Sequence, residues 1–160
     1  MKYTYVELAK MIDHSLLHPT MTDSDLEEGC RLAAEYGVAS VCIKPYAVKR
    51  AVELLRGTGV YVGCVIGFPH GNSCTESKRY ETELACRDGA VEIDMVINVG
   101  ALKSKDFETV FEDICRVVKA SGRARVKVIL ECSALDDQEK VIGCTLAKLA
   151  GAAFVKTSTG

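Results

Sequence analysis

Apolar and polar positions recur on two different periods along this chain. Dense apolar runs of five to seven residues fall at about 11–15, 38–43, 60–66, 91–97, 126–131 and 153–157, the length expected of buried strands. Between them, apolar positions recur every three to four residues and predict helices over 23–36, 46–56, 74–88, 105–120 and 135–150, with a leading helix over 4–10. Thr22 or Asp23 can cap the first of the long helices, and Glu76, Glu108 and Asp137 place negative charge near helix N-termini. Strand followed by helix, repeated at intervals of about 22 to 35 residues, is the pattern of right-handed βαβ units and a parallel sheet.

Two α/β architectures fit that order, an open doubly wound sheet and a (β/α)8 barrel. Strand parity separates them. In the fourth strand Val91, Ile93, Met95 and Ile97 share one face, and Glu92, Asp94, Val96 and Asn98 the other. In the fifth, Val126, Val128 and Leu130 oppose Lys127, Ile129 and Glu131; in the sixth, Ala153, Val155 and Thr157 oppose Phe154, Lys156 and Ser158. A doubly wound sheet is covered by helices on both faces and reads as near-continuous hydrophobics. A barrel instead tolerates chemistry on inward positions near its C-terminal rim. Asp94, Lys127, Glu131 and Lys156 on matching faces therefore favour a barrel lumen, and no Gly-x-Gly-x-x-Gly follows the first strand to support a dinucleotide fold. The expected fold is an α/β barrel of the TIM type with about six strand–helix units present. Residues 1–160 are expected to form one domain, incomplete at its C-terminal side, since eight units need about 200–250 residues. The free edges of strands one and six are expected to be exposed.

Composition narrows the partners. Hydrophobic residues make up 48% and charged ones 26%, with a net charge of −2, so nothing points to nucleic acid or an anionic membrane surface. Residues 57–75 carry no charge, yet five glycines, Pro69 and Asn72 make this a strand and loop rather than a membrane span. The opening residues, Met1 to Glu7, lack the apolar core of a signal peptide, and a cytoplasmic location is expected. The eight cysteines include no Cys-x-x-Cys pair and read as reduced thiols packed largely in the core. His14, His18 and His70 are too dispersed to define a metal site by spacing.

Lys156 carries the strongest chemical signal, because a lysine ending an apolar strand requires an explanation. It either snorkels from the strand end or serves as a nucleophile, since burial favours the neutral amine that Schiff-base formation needs. Asp94 and Lys127 should share its lumen. A second cation lowers an amine's pKa, while a carboxylate balances charge and moves protons. Taken singly, Asp94 could be an ion-paired core carboxylate, and Lys127 a counter-ion for Asp94 or Glu131.

Several segments in order also resemble one family. Phe154-Val155-Lys156-Thr157-Ser158-Thr159-Gly160 is similar to the Schiff-base lysine motif of the deoxyribose-phosphate aldolases. Ile12-Asp13-His14-Ser15-Leu16-Leu17-His18-Pro19, Val41-Cys42-Ile43-Lys44-Pro45 and Val65-Ile66-Gly67-Phe68-Pro69-His70-Gly71 resemble the family's first three strand segments. Glu92 to Leu102 resembles the segment holding its catalytic aspartate, and Lys127-Val128-Ile129-Leu130-Glu131 its fifth strand.

The resemblance implies a class I aldolase without metal or organic cofactor, acting on a small phosphorylated sugar. The reaction implied is reversible cleavage of 2-deoxy-D-ribose 5-phosphate to D-glyceraldehyde 3-phosphate and acetaldehyde. Lys156 would form the imine, Asp94 would shuttle protons, Lys127 would assist the relay or hold substrate, and Asp13 and Cys42 would line the pocket. A homo-oligomer is compatible with this reading; nucleic-acid and membrane partners are not expected. The family's second essential lysine and its phosphate-binding loops belong to strands seven and eight, to which no residue here is assigned. Lys44 stands where the family often has a neutral residue. The alternative is a non-catalytic, truncated remnant of such an aldolase.

Overall fold

The computed structural model describes residues 2–160; Met1 lies outside the described residues. Six strands, β1 (Asp13–Leu16), β2 (Ser40–Ile43), β3 (Tyr61–Ile66), β4 (Glu92–Val96), β5 (Arg125–Ile129) and β6 (Phe154–Lys156), form one sheet in chain order. Every neighbouring pair is parallel, so all six strands expected from the apolar runs are present. The helices are α1 (Tyr5–Ala9), α2 (Asp23–Tyr36), α3 (Val48–Leu54), α4 (Thr75–Arg87), α5 (Val99–Lys103), α6 (Phe107–Ser121) and α7 (Asp137–Leu149).

The sheet curls into an incomplete barrel. Lys127 on β5 and Lys156 on β6 bring their Nζ atoms to 2.5 and 3.6 Å from Asp13 Oδ2 on β1, which a flat sheet of this order would not allow. The outward face packs against the helices, with Val41, Ile43, Ile66, Ile93, Met95, Val128, Val110, Ile114 and Ala147 all buried. The parity read for β4, and for β5 as far as Ile129, is therefore correct. Apolar residues turn to the helix layer and charged ones to the lumen.

Local signals explain most element ends. Thr22 caps α2 in a reciprocal capping box with Asp25, and Gly37 closes that helix at φ 61°, where a side chain would be strained. Two helical readings change. The segment predicted as one helix over 46–56 begins with a 3-10 turn at Pro45–Ala47 before α3, as proline at the first helical position favours. The short α5 precedes α6 and was not predicted. Asn98 caps it by accepting from the Ala101 amide at 3.1 Å.

One buried contact has no counterpart in the apolar pattern. Lys78 of α4 is fully buried and donates to Asp113 Oδ2 of α6 at 2.5 Å and to the Val96 carbonyl at the end of β4 at 3.0 Å. The ion pair thus ties two packed helices to the rim end of β4. All eight cysteines are free, but only Cys30, Cys42 and Cys64 are buried, and Cys74 is exposed, so the expectation of core thiols holds for part of the set.

Candidate active site

The curl gathers inward side chains from five strands: Asp13 of β1, Cys42 of β2, Glu92 and Asp94 of β4, Lys127 of β5 and Lys156 of β6. Asp94 lies at their centre. It is fully buried, and its Oδ2 accepts from Lys156 Nζ at 2.5 Å and from the Cys42 thiol at 3.5 Å. Its Oδ1 has no hydrogen-bond partner; the Lys127 ammonium lies 3.8 Å away. Lys127 instead donates to Asp13 Oδ2 at 2.5 Å and sits 2.6 Å from Glu92 Oε2. Ser40 donates to the other oxygen of Asp13 at 2.7 Å, and Arg125 donates to Glu92 Oε1 at 2.5 Å.

These contacts set the charge states. Burial alone would push the Lys156 amine towards neutrality, but the Asp94 and Asp13 carboxylates outweigh it and hold its pKa above the ordinary 10.5. Lys127 behaves alike, with burial opposed by Asp94, Asp13 and Glu92. Burial raises the Asp13 pKa, yet the bonds from Lys127 and Ser40 outweigh it and leave the carboxyl below its ordinary 3.8. The Cys42 thiol is pushed far up by burial and by the Asp94 charge, so it is a neutral donor and not a thiolate nucleophile. Of the two effects, burial therefore counts for less than the facing carboxylates together, and the ammonium is favoured. Its side chain is 29% exposed and ion-paired, so solvent and Asp94 both favour the ammonium.

The sequence-derived residues Asp94, Lys156, Lys127, Asp13 and Cys42 thus come together in one lumen. Glu131 does not join them. It follows β5 in a left-handed turn (φ 55°), where it accepts from Thr159 Oγ1 at 2.5 Å and Ser133 Oγ at 3.0 Å, and the Thr159 bond is the main cause of its lowered pKa. Its alternation fails because the strand ends at Ile129. Glu92 takes its place in the charged cluster. Parity put Glu92 on the lumen face, but no charge partner for it was visible in sequence. Lys44 points away, donating to the carbonyls of His18 and Met21 at 3.2 Å each.

Above the cluster lies a pocket of about 210 Å³ lined by Asp13, Cys42, Phe68, Asp94, Lys156 and Thr159. That is below the roughly 300–1,000 Å³ of a typical ligand cavity, as expected where β6 and β1 do not pair to close the wall. The arrangement offers an amine, a buried carboxylate that can exchange a proton with it, and room for a short carbon chain against Lys156.

The lumen of this parallel, barrel-like sheet thus holds an inward lysine at the end of β6 against an inward aspartate of β4. The DeoC/LacD family aldolase profile matches residues 7–160, and the chain belongs to this family. The deoxyribose-phosphate aldolase of Clostridium kluyveri is 55% identical over 155 residues, covering 96% of this chain and 71% of that enzyme. The enzyme of that name from Brevibacillus brevis is 52% identical, covering 97% and 70%. Among solved structures, a Coccidioides immitis protein provisionally assigned as a deoxyribose-phosphate aldolase superposes with a TM-score of 0.95 at 46% identity, covering 98% of this chain and 62% of that one. The tetrameric deoxyribose phosphate aldolase of Aeropyrum pernix superposes with a TM-score of 0.90 at 34% identity, covering 98% and 66%. The chain therefore spans about two thirds of the length of the relatives it matches. Among the described residues no helix is long and apolar enough to cross a membrane.

Proposed function

We propose that this chain carries the imine-forming part of a class I aldolase that reversibly cleaves 2-deoxy-D-ribose 5-phosphate to D-glyceraldehyde 3-phosphate and acetaldehyde. The observation that carries the reading is the 2.5 Å contact between Lys156 Nζ and the buried Asp94 carboxylate, in a family whose named relatives are deoxyribose-phosphate aldolases.

In this reading Asp94 Oδ2 takes a proton from the Lys156 ammonium, freeing its lone pair for attack on the aldehyde carbon of the open-chain sugar; their 2.5 Å contact supports it. The carbinolamine loses its hydroxyl as water, with the proton returned through Asp94, and an iminium forms. Its positive nitrogen accepts the electron pair of the breaking C2–C3 bond as the C3 hydroxyl passes its proton to the Asp94 carboxylate, which then returns that proton to C2. Glyceraldehyde 3-phosphate leaves, the enamine is protonated at C2, and water releases acetaldehyde and the amine. Lys127 and Asp13 keep the region around Asp94 charge-balanced, and Cys42 donates to the same Asp94 oxygen as Lys156. An assembly of several copies is compatible with the tetrameric relative.

The elevated pKa of Lys156 and the half-open pocket favour a second reading for the 160-residue polypeptide taken alone, in which imine formation is slow or absent. Borohydride reduction in the presence of acetaldehyde decides between them. The peptide containing Lys156 should gain the mass of a reduced two-carbon adduct. Label on Lys127, or on no lysine, would remove the imine assignment.

A further inference from the structure

The register of the sheet places Asp94, not Glu92, directly beside Lys127. The Lys127 ammonium nevertheless lies on Glu92 and Asp13, at 2.6 and 2.5 Å, and stands off from Asp94 Oδ1 at 3.8 Å. Like Glu92 Oε2, which meets Lys127 as an ion pair only, that oxygen is buried and without a hydrogen-bond partner, an arrangement that costs free energy in a dry interior. A lysine stem is long and flexible enough to satisfy it. Something must therefore hold the ammonium elsewhere, and Glu92 is built to do so. Its side chain is 5% exposed and its second oxygen is fixed by Arg125. Arg125 in turn lies over the rings of Tyr61 and Phe154, at 5.9 and 5.8 Å from their centroids.

We infer that Glu92 is a positioning residue that draws Lys127 off Asp94 and so reserves the Asp94 carboxylate for Lys156. The groups facing this cluster are Asp13 from β1, Cys42 from β2, Glu92 and Asp94 from β4, Arg125 and Lys127 from β5, and Lys156 from β6. The β3 residues registered between β2 and β4, Gly63 and Val65, carry no charge. Counted over these groups, three carboxylates meet three cations, Arg125 included. If the Glu92 charge is removed, Lys127 swings to the unpartnered Asp94 oxygen and competes with Lys156 for that carboxylate. Lys156 then shares its counter-ion with a second cation and releases its proton more readily. The consequence for reactivity rests on the proposed imine chemistry of Lys156; the placement of Lys127 does not.

Competitive acetylation of the 160-residue chain between about pH 7 and about pH 11, read lysine by lysine by mass spectrometry, reports the Lys156 titration directly. Glu92→Gln should lower the Lys156 pKa by about one unit, a tenfold rise in neutral amine below the transition. Glu92→Asp keeps the charge but is one methylene too short for Lys127, and should move Lys156 in the same direction by a smaller amount. In a Lys127→Met background, Glu92→Gln should leave Lys156 where it was, because the effect acts through Lys127. An unchanged Lys156 pKa in the folded Glu92→Gln chain would overturn the inference. So would an equal shift in the Lys127→Met background, which would make Glu92 only one more charge in the field. Should Glu92→Gln fail to fold, a wild-type titration in Glu92→Asp would overturn it equally. Acetaldehyde trapping run in parallel separates the two claims: a shifted Lys156 that traps no adduct in any variant would remove the imine chemistry and leave the positioning role standing.

Discussion

β4 and β6 both contribute to the charged cluster, yet all five residues of β4 are buried and none of the three in β6 is. β4 has a hydrogen-bonded strand on either side, whereas β6 pairs only with β5. Phe154 and Val155 of β6 are consequently about half exposed, while Ile93 and Met95 of β4 are fully covered. The same contrast divides the ion pair between them, since the Asp94 side chain is 1% exposed and that of Lys156 is 29% exposed. A carboxylate held dry keeps its proton-transfer geometry without help. A half-wet amine beside it stays an ammonium, because both water and the carboxylate stabilise its charge. The centre of this sheet is pre-organised, and the reactivity of its edge depends on what lies against it.

The comparison can be broken most directly at its centre. Asp94→Asn should lower turnover by about 10²–10⁴-fold in whatever form of the protein is active, the usual worth of one general acid/base. The fold should suffer less, because Lys156 can be solvated and Lys127 keeps Asp13 and Glu92. Kinetics and urea denaturation on the same sample check this, and equal losses in both would make Asp94 a structural ion-pair member.

A paired truncation tests burial alone. Met95→Ala on β4 should cost about 2–5 kcal/mol in stability, whereas Val155→Ala on β6 should stay within about 0.5 kcal/mol. Similar urea midpoints for the two variants would mean that β6 is covered in solution, through association between copies or otherwise.

The smallest effect expected is on pH dependence. The Lys127 and Lys156 pKa values are raised above 10.5, so their contribution to stability is complete below that pH and is lost as pH rises through the higher folded values. The Asp13 pKa is lowered from 3.8, so its contribution is present above that pH and is lost as pH falls through the lower folded value. The buried Cys42 and Cys64 thiols, also raised from their ordinary 9.0, begin the alkaline loss earlier, so stability should fall on both flanks, with Lys127 and Lys156 adding to the alkaline one. Lys156→Met should reduce the alkaline fall by under about 1 kcal/mol, as befits a partly solvated pair. An alkaline limb unchanged by this substitution would show that the Lys156–Asp94 contact is not populated in solution.

Much of this organisation was legible in the order of residues. Alternation with period two in β4 and β5 assigned Ile93, Met95 and Val128 to the helix layer and Asp94 and Lys127 to the lumen, because a pleated strand leaves no other choice. Capping chemistry located the start of α2, which depends only on residues three apart. The buried pair of Lys78 and Asp113 was not legible, since the two lie 35 residues apart on separate helices and each reads locally as an exposed charge. The short α5 was missed for want of length, five residues being too few to show a period.

The sequence by itself determined the strand–helix alternation, the inward faces and the family, since each is carried by local periodicity or by ordered motifs. Only the tertiary structure decided the electrostatics. Whether Lys156 is a neutral amine or an ammonium depends on the distance to Asp94 and on the water admitted at the edge of β6, and neither is encoded in residue spacing. The curl that brings Asp13 of β1 to Lys127 of β5 likewise joins residues 114 apart. It also lets Glu92 replace Glu131 in the cluster, because a turn after Ile129 carries Glu131 out of the pleat. Charge states follow from where the folded chain places its ions and admits water, and a linear pattern specifies neither.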